Sequence, residues 1–147
     1  MNSRPGPNKL TTGDGPAGPP LPLAVDELSE RCMGNAVVAT LLLDKFEKQL
    51  HGDIREIEQR LAARDAGQIA RTAHALKGAA GAVAAPLLRD LAAEVETLAR
   101  AENLESIARK LSSLRTEVER CLGHLPVARG VLATAARQGP LGTGSAS

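Results

Sequence analysis

The chain has 147 residues, 43% of them hydrophobic, and a formal net charge of +1, which suits one domain with a single core. Phe46 is the only aromatic residue, so Leu, Ala, Val and Ile must supply the core, a composition that favours packed helices over a β-sandwich. The near-neutral charge argues against nucleic acid as a partner. Cys32 and Cys121 match no metal-ligand or redox spacing, so no metal or other cofactor is expected.

The two ends of the chain are rich in small residues. Residues 1–22, crowded with Gly and Pro, are predicted to form a disordered lead, and residues 126–147 a flexible tail with a helical turn or two at most. The lead lacks the apolar core of a signal peptide. The apolar run of residues 36–43 is far shorter than the ~20 residues that cross a membrane. The sequence therefore predicts a soluble, cytoplasmic protein without membrane insertion.

The first two predicted helices lie between the lead and a break at residues 64–67. The first is short: it begins at Asp26 as N-cap, ends at Gly34, and turns Leu28 and Met33 inward. Asn35 caps the second helix, whose inward positions follow one face at spacings of three and four. These positions are Val38, Leu42, Phe46, Leu50, Ile54, Ile57 and Leu61.

Three further helices complete residues 23–125, the part of the chain predicted to fold. Pro86 begins the fourth helix, because proline suits a first helical position, and Asn103 caps the fifth. Four long amphipathic helices joined by short links predict an all-α, antiparallel four-helix bundle with a short leading helix. The predicted inward positions are Ile69, Ala73, Leu76, Ala80 and Val83, then Leu87, Leu91, Val95 and Leu98, then Leu104, Ile107, Leu111, Leu114, Val118, Cys121 and Leu125.

The third helix contains the run ARTAHALKGAAG, in which two glycines follow one histidine. Each glycine costs about 1 kcal/mol relative to alanine inside a helix, which indicates that bare backbone is needed there. At 100° per residue, His74 lies about 140° from the inner stripe, Gly81 about 120° and Gly78 about 180°. Lys77 and Arg71, each three residues from His74, can reach the same outer patch. The pattern predicts an accessible imidazole beside a flat strip and two cations.

An exposed imidazole of this kind can accept a phosphoryl group. Imidazole is largely neutral near pH 7, since its free pKa is about 6.5, and it can attack as a nucleophile. The phosphoryl group on the ring would be anionic, and Lys77 can neutralise part of its charge. Arg71 is a candidate partner-docking residue, although its pattern favours a solvated charge with incidental influence.

The run HALKGAAGAV, residues 74–83, resembles the signature of histidine phosphotransfer (HPt) domains of bacterial phosphorelays. Residues 31–35 resemble that family's lead-in, and Leu87, Leu91, Val95 and Glu96 resemble its next helix; the likeness covers roughly residues 23–125. Ala84 departs from the pattern, because the family usually has glycine there, just before the turn. The resemblance implies a helical bundle that carries phosphate without any cofactor of its own.

The resemblance also implies roles for individual residues. His74 would be phosphorylated, Lys77 would help to hold the phosphoryl group, and Gly78 and Gly81 would let a receiver domain approach closely. The implied partners are response-regulator receiver domains and a hybrid sensor kinase. The chain itself is not expected to be a kinase, because it contains no Gly-rich ATP loop or Walker-type run. The alternative is a helical module that docks on a receiver without carrying phosphate, which would have no need of His74.

Overall fold

The fold is taken from a computed structural model, which describes residues 21–138. Within that range all regular structure is α-helical, which confirms the predicted fold class. The antiparallel helices α2 to α5 form the bundle, and α3 packs most extensively against α4. The five helices are α1 (Val25–Arg31), α2 (Ala36–Ala62), α3 (Ala66–Ala82), α4 (Pro86–Arg100) and α5 (Leu104–Gln138).

Polar side chains mark most helix starts. The Asn35 side chain accepts a 3.1 Å hydrogen bond from the backbone N–H of Val38, which confirms it as the cap of α2. Asn103 accepts an equivalent bond at the start of α5, and Pro86 begins α4 as predicted. The prediction for α1 was wrong: its N-cap is Ala24, and Asp26 lies inside the first turn.

Each link between helices contains a residue with a positive φ. Ala84 has φ 60°, the left-handed conformation that usually favours glycine, so the backbone turn persists although the glycine is missing. Met33, predicted to face inward, has φ 56° in the first link and is 92% exposed, so that prediction was wrong. The same conformation occurs at Arg64 and Glu102.

The core confirms the inner stripe predicted for α3, because all five of its positions are buried. In α4 the buried stripe is shifted by one residue at three positions, and Leu88, Ala92 and Ala99 are buried where Leu87, Leu91 and Leu98 were expected. The first half of α2 is shifted in the same way, with Ala39 and Leu43 buried instead of Val38 and Leu42.

The carboxyl end of α5 differs from the prediction. Residues 126–138 were predicted to belong to a flexible tail, yet they continue α5 without a break, through Pro126. Ala128 and Leu132 are buried in the same core as the rest of the bundle, and this burial offsets the hydrogen bond that a proline removes inside a helix. The predicted disordered lead, apart from residues 21 and 22, and residues 139–147 of the predicted tail lie outside the described residues.

The helices also bear on membrane association. Among residues 21–138, none of the helices combines the length and the apolar content needed to cross a membrane.

Candidate functional site

The site is centred on His74, in the middle of α3. Its side chain is 65% exposed, which confirms the outward orientation predicted from the helix geometry. Ala73 and Leu76, its neighbours on the inner stripe, are fully buried and fix the rotation of α3 against the core. The backbone at His74 is therefore rigidly placed while the imidazole faces solvent.

Glu96 of α4 is the common partner of three side chains in this region. Although it is only 7% exposed, its Oε2 lies 3.0 Å from Nδ1 of His74 and its Oε1 lies 2.8 Å from Nζ of Lys77. Arg100, one turn along α4, donates a 2.6 Å hydrogen bond to Oε2. Both carboxylate oxygens are thus satisfied, which is what burial of a charge requires. These four residues are called the charged site below.

The ionised carboxylate of the charged site selects the tautomer of the imidazole. Hydrogen bonds from Lys77 and Arg100, with a smaller contribution from His74, lower the pKa of Glu96 from 4.5 to about 2. Glu96 is therefore ionised at neutral pH and can only accept hydrogen bonds. Nδ1 of His74 must then carry the proton, so the lone pair of the neutral ring is on Nε2, the nitrogen that is left for a reaction.

A shallow concavity of about 560 Å³ opens beside the ring. Arg71 and Arg100 line it with His74, so two guanidinium groups lie on the side of the site away from Lys77. The guanidinium of Arg71 is exposed and donates a 3.0 Å hydrogen bond to Gln68, without contacting Glu96. The remaining lining residues are Gly67, Ala70, Ala99 and Glu102.

The two glycines of the predicted strip have different surroundings. Gly78 is exposed, and a Cβ built on it would meet no atom within 4 Å. Gly81 is only half-exposed: its carbonyl accepts a hydrogen bond from Arg31 of α1, and a Cβ there would lie 3.9 Å from Cδ of Arg89. Bare backbone is thus present at Gly78, whereas α1 already occupies part of the surface at Gly81.

Sequence reasoning left two members of the charged site unassigned. The resemblance includes Glu96 in the helix that follows without assigning it a contact with His74, and it assigns no role to Arg100. The spacing of Glu96 and Arg100 is the i, i+4 spacing of helical ion pairs, and this signal was available in the sequence. Their approach to His74 depends on how α4 packs on α3, which the sequence pattern does not specify.

The thiols lie apart from the charged site. Cys32 is half-buried, and burial raises the pKa of the Cys121 thiol to about 12. Neither is in a disulfide. Within residues 21–138, His, Cys, Asp and Glu side chains form no group of three or more that is suited to hold a metal ion.

Comparison with known proteins identifies the family. The sequence profile of the Hpt domain matches residues 41–124, more than half of the chain, so the chain belongs to the Hpt domain family, as the resemblance predicted. A similar solved structure is that of histidine-containing phosphotransfer protein B (HptB) from Pseudomonas aeruginosa, with a TM-score of 0.62 and 23% identity. The match covers 79% of this chain and 96% of that one, and it shows a shared fold. No curated protein matches the chain.

Proposed function

We propose that the chain is a phosphocarrier that accepts a phosphoryl group on Nε2 of His74 from one receiver-domain aspartate and donates it to another. One observation carries the proposal: the exposed imidazole is held through Nδ1, at 3.0 Å, by a buried and ionised carboxylate. A histidine that only docked on a partner would not need this arrangement. Membership of the Hpt family supports the same function.

Acceptance begins with the lone pair on Nε2 attacking the phosphorus of an aspartyl phosphate. The Nε2–P bond forms while the P–O bond to the aspartate breaks, and its electron pair leaves on the aspartate carboxylate. The ring gains a positive charge and keeps its proton on Nδ1, where Glu96 stabilises it at hydrogen-bond distance. Donation is the reverse step, with a receiver carboxylate as the attacking group.

Two cations stabilise the phosphorylated state. Lys77 and Arg100 flank the ring and are already held by Glu96, so they need little side-chain ordering to contact a phosphoryl oxygen. Arg71, on the edge of the same concavity, adds a longer-range attraction for an anion. Lys77 thus approaches the phosphoryl group from the side of the ring nearer Gly78, and Arg100 approaches it from the side of the concavity.

The partner must bring its reactive aspartate within bonding distance of Nε2. The open backbone at Gly78, one turn from His74, lets a flat protein surface approach the ring closely. Receiver domains fit this requirement, and a hybrid sensor kinase that carries one is the proposed source of phosphate. Magnesium, where the reaction needs it, belongs to the acidic pocket of the receiver.

The test is transfer from a receiver domain labelled with radioactive phosphate to the full chain. Wild type is expected to take up label that is stable to base and labile to acid, as a phosphoramidate is. His74→Gln is expected to take up none while keeping its helical circular dichroism, because an exposed side chain leaves no core cavity.

His51→Gln is the matched control, since His51 is exposed on α2 and contacts none of the charged site. Equal label on the wild type, His51→Gln and His74→Gln would disprove the proposal. Receiver binding by all three proteins, with no label on any of them, would favour a docking module instead.

A further inference from the structure

A second carboxylate lies near His74, on the side of α3 that faces α2. Nε2 of Gln49 donates a 3.1 Å hydrogen bond to Oδ2 of Asp53 and a 3.3 Å hydrogen bond to the backbone carbonyl of Ala75. The Asp53 carboxylate is therefore only two hydrogen bonds away from the residue that follows His74 in α3. Glu96 approaches His74 from α4, so the two carboxylates flank the middle of α3 from opposite sides.

Asp53 differs from the other carboxylates that are at least partly buried in residues 21–138. All the others pair with arginine or lysine, and these are Glu47, Glu56, Glu58, Glu96 and Glu117. Asp53 forms no ion pair within that range and accepts its hydrogen bond from the neutral amide of Gln49. Burial raises the pKa of the Asp53 carboxyl above its ordinary value; the Gln49 hydrogen bond opposes this and the like charge of Glu56 adds to it. The desolvation of Asp53 is thus not offset by any cation in residues 21–138.

The lysines and arginines around Asp53 are engaged elsewhere or lie on another face. Arg60 pairs with the carboxylate one turn before it, at 2.7 Å. Arg71 of α3 donates a 3.0 Å hydrogen bond to a neighbouring side chain of its own helix. The remaining basic side chains of α2 lie about 12 Å along the helix from Asp53, or about 140–160° around it, and they are Lys45, Lys48 and Arg55.

Asp53 lies within the area that a partner docked on His74 would cover. Ala75 is exposed beside Gln49, and the open backbone at Gly78 follows one turn along α3. A standard interface covers ~800 Å² per partner, which is roughly 30 Å across. A receiver domain centred on His74 therefore covers the seam between α2 and α3 as well as the charged site. Covering an unpaired carboxylate is costly unless the partner supplies a cation.

We propose that Asp53 is a receiver-contact residue, which pairs with a lysine or arginine of the receiver domain. The proposal rests on the phosphocarrier function, because it requires docking over His74. It assigns different tasks to the two carboxylates: Glu96 is neutralised within the chain and orients the ring, whereas the charge of Asp53 is neutralised by the partner. A receiver without a cation at this point is disfavoured, so Asp53 contributes to the choice of receiver.

The test is calorimetric binding of the full chain, at low and high salt, to the receiver domain that labels wild type in the transfer experiment above. Asp53→Asn should raise the dissociation constant about fivefold or more at low salt and less at high salt, because the lost contact is ionic. Asp53→Glu keeps the charge and should bind almost as wild type does, whereas Asp53→Lys should weaken binding further. Label uptake at saturating receiver should be unchanged in Asp53→Asn, because Asp53 does not touch the ring.

Two variants separate the charge of Asp53 from other effects. Glu119→Gln removes an exposed carboxylate from α5, across the bundle from α3, and should bind the receiver as wild type does. Gln49→Ala removes the bridge to Ala75 and keeps the Asp53 carboxylate, so its binding should keep the salt dependence of wild type.

The proposal is overturned if Asp53→Asn binds the receiver as tightly as wild type, or more tightly. It is also overturned if Asp53→Asn and Gln49→Ala weaken binding equally at both salt concentrations, since Asp53 would then act only through Gln49. Wild type that takes up no label from any receiver would instead disprove the phosphocarrier function, and the role of Asp53 with it.

Discussion

The charged site and the exposed apolar surface near the start of α2 differ in chemistry on the same bundle. Around His74, three basic or imidazole side chains converge on one buried carboxylate, and every charge there has a partner. Near the start of α2, Val37 and Leu41 are exposed on a surface that they share with Thr40 and with alanines of α2 and α5. Ionic contacts therefore fix the orientation of the His74 ring, whereas no ionic contact orients Val37 or Leu41.

After His74 itself, the largest effect is expected at Glu96. Glu96→Ala frees the ring and leaves Lys77 and Arg100 without their carboxylate, so phosphoryl acceptance should slow by about 10- to 150-fold, the equivalent of 1.5–3 kcal/mol. Glu96→Gln should slow phosphoryl acceptance less, because its amide oxygen can still accept a hydrogen bond from Nδ1–H of His74. Nitrogen NMR of the imidazole should show the Nδ1–H tautomer in wild type and a mixture in Glu96→Ala. An unchanged rate and tautomer would mean that Glu96 does not position the ring.

The cations around the ring should matter less than Glu96. Lys77→Ala should slow acceptance about tenfold or shorten the lifetime of the phosphorylated form, at the lower end of a charge-assisted contact. Arg100→Ala should behave similarly, and Arg71→Ala should change the rate less, because Arg71 does not contact Glu96. Arg89→Ala, an exposed arginine that pairs with Asp90, is the control in the same labelled time course. If Lys77→Ala has the rate and the phosphoform lifetime of wild type, then Lys77 is a solvated charge that does not stabilise the phosphoryl group.

Substitutions at Gly78 test how closely a receiver domain must approach the ring, without changing any charge. Gly78→Leu should weaken receiver binding by about 1 kcal/mol or more, about fivefold, because a bulky side chain would stand in the proposed interface. Gly78→Ala should instead stabilise the helix by up to about 1 kcal/mol, since its Cβ meets open space. Gly123→Leu, on an equally open position of α5, controls for surface leucine in a calorimetric binding titration. Equal affinity of Gly78→Leu and wild type would show that the glycine is not needed for access.

The charged site should also affect acid stability. The pKa of Glu96 is lowered in the folded state, from 4.5 to about 2, so its contribution to folding is present above about pH 4.5 and is lost as the pH falls toward 2. Denaturant unfolding of wild type should therefore show a loss of stability in this window that Glu96→Gln lacks. Leu41→Asp should keep the wild-type loss, because Leu41 lies in the other region. Parallel curves for wild type and Glu96→Gln would contradict the ionised pairing.

The smallest effect is expected at the turn where the two regions meet, at Ala84, whose carbonyl accepts a 2.8 Å hydrogen bond from Ala24. Ala84→Gly should relieve about 1–2 kcal/mol of left-handed strain, but it adds chain entropy to the unfolded state and removes a buried methyl group. These effects nearly cancel, to within about 0.5 kcal/mol. Arg64 has φ 57° and an exposed side chain, so Arg64→Gly should raise the stability measured by thermal unfolding more than Ala84→Gly does. A larger gain at Ala84 would mean that its methyl group packs poorly.

The predictions from sequence were most accurate where one helix face is distinct. In α3 the large apolar residues are confined to one face, while Gln68, Arg71 and His74 lie on the other, and all five inner positions were correct. In residues 36–43 nearly every position is apolar, so the pattern gave no preferred face, and packing within the bundle selected Ala39 and Leu43. The same ambiguity arose in α4, where adjacent Leu and Ala positions compete and the small Ala99 lets α3 approach closely.

By itself the sequence determined the helices, two of their polar caps, the outward direction of His74 and the family resemblance. These features depend on residues within about one or two turns of each other, where helix periodicity and capping act. Only the tertiary structure decided that Glu96, 22 residues from His74, would hold its Nδ1, and that α5 would continue beyond Pro126. Both depend on the packing of one helix against another, because burial of Glu96 and of Leu132 has no local signature in the chain.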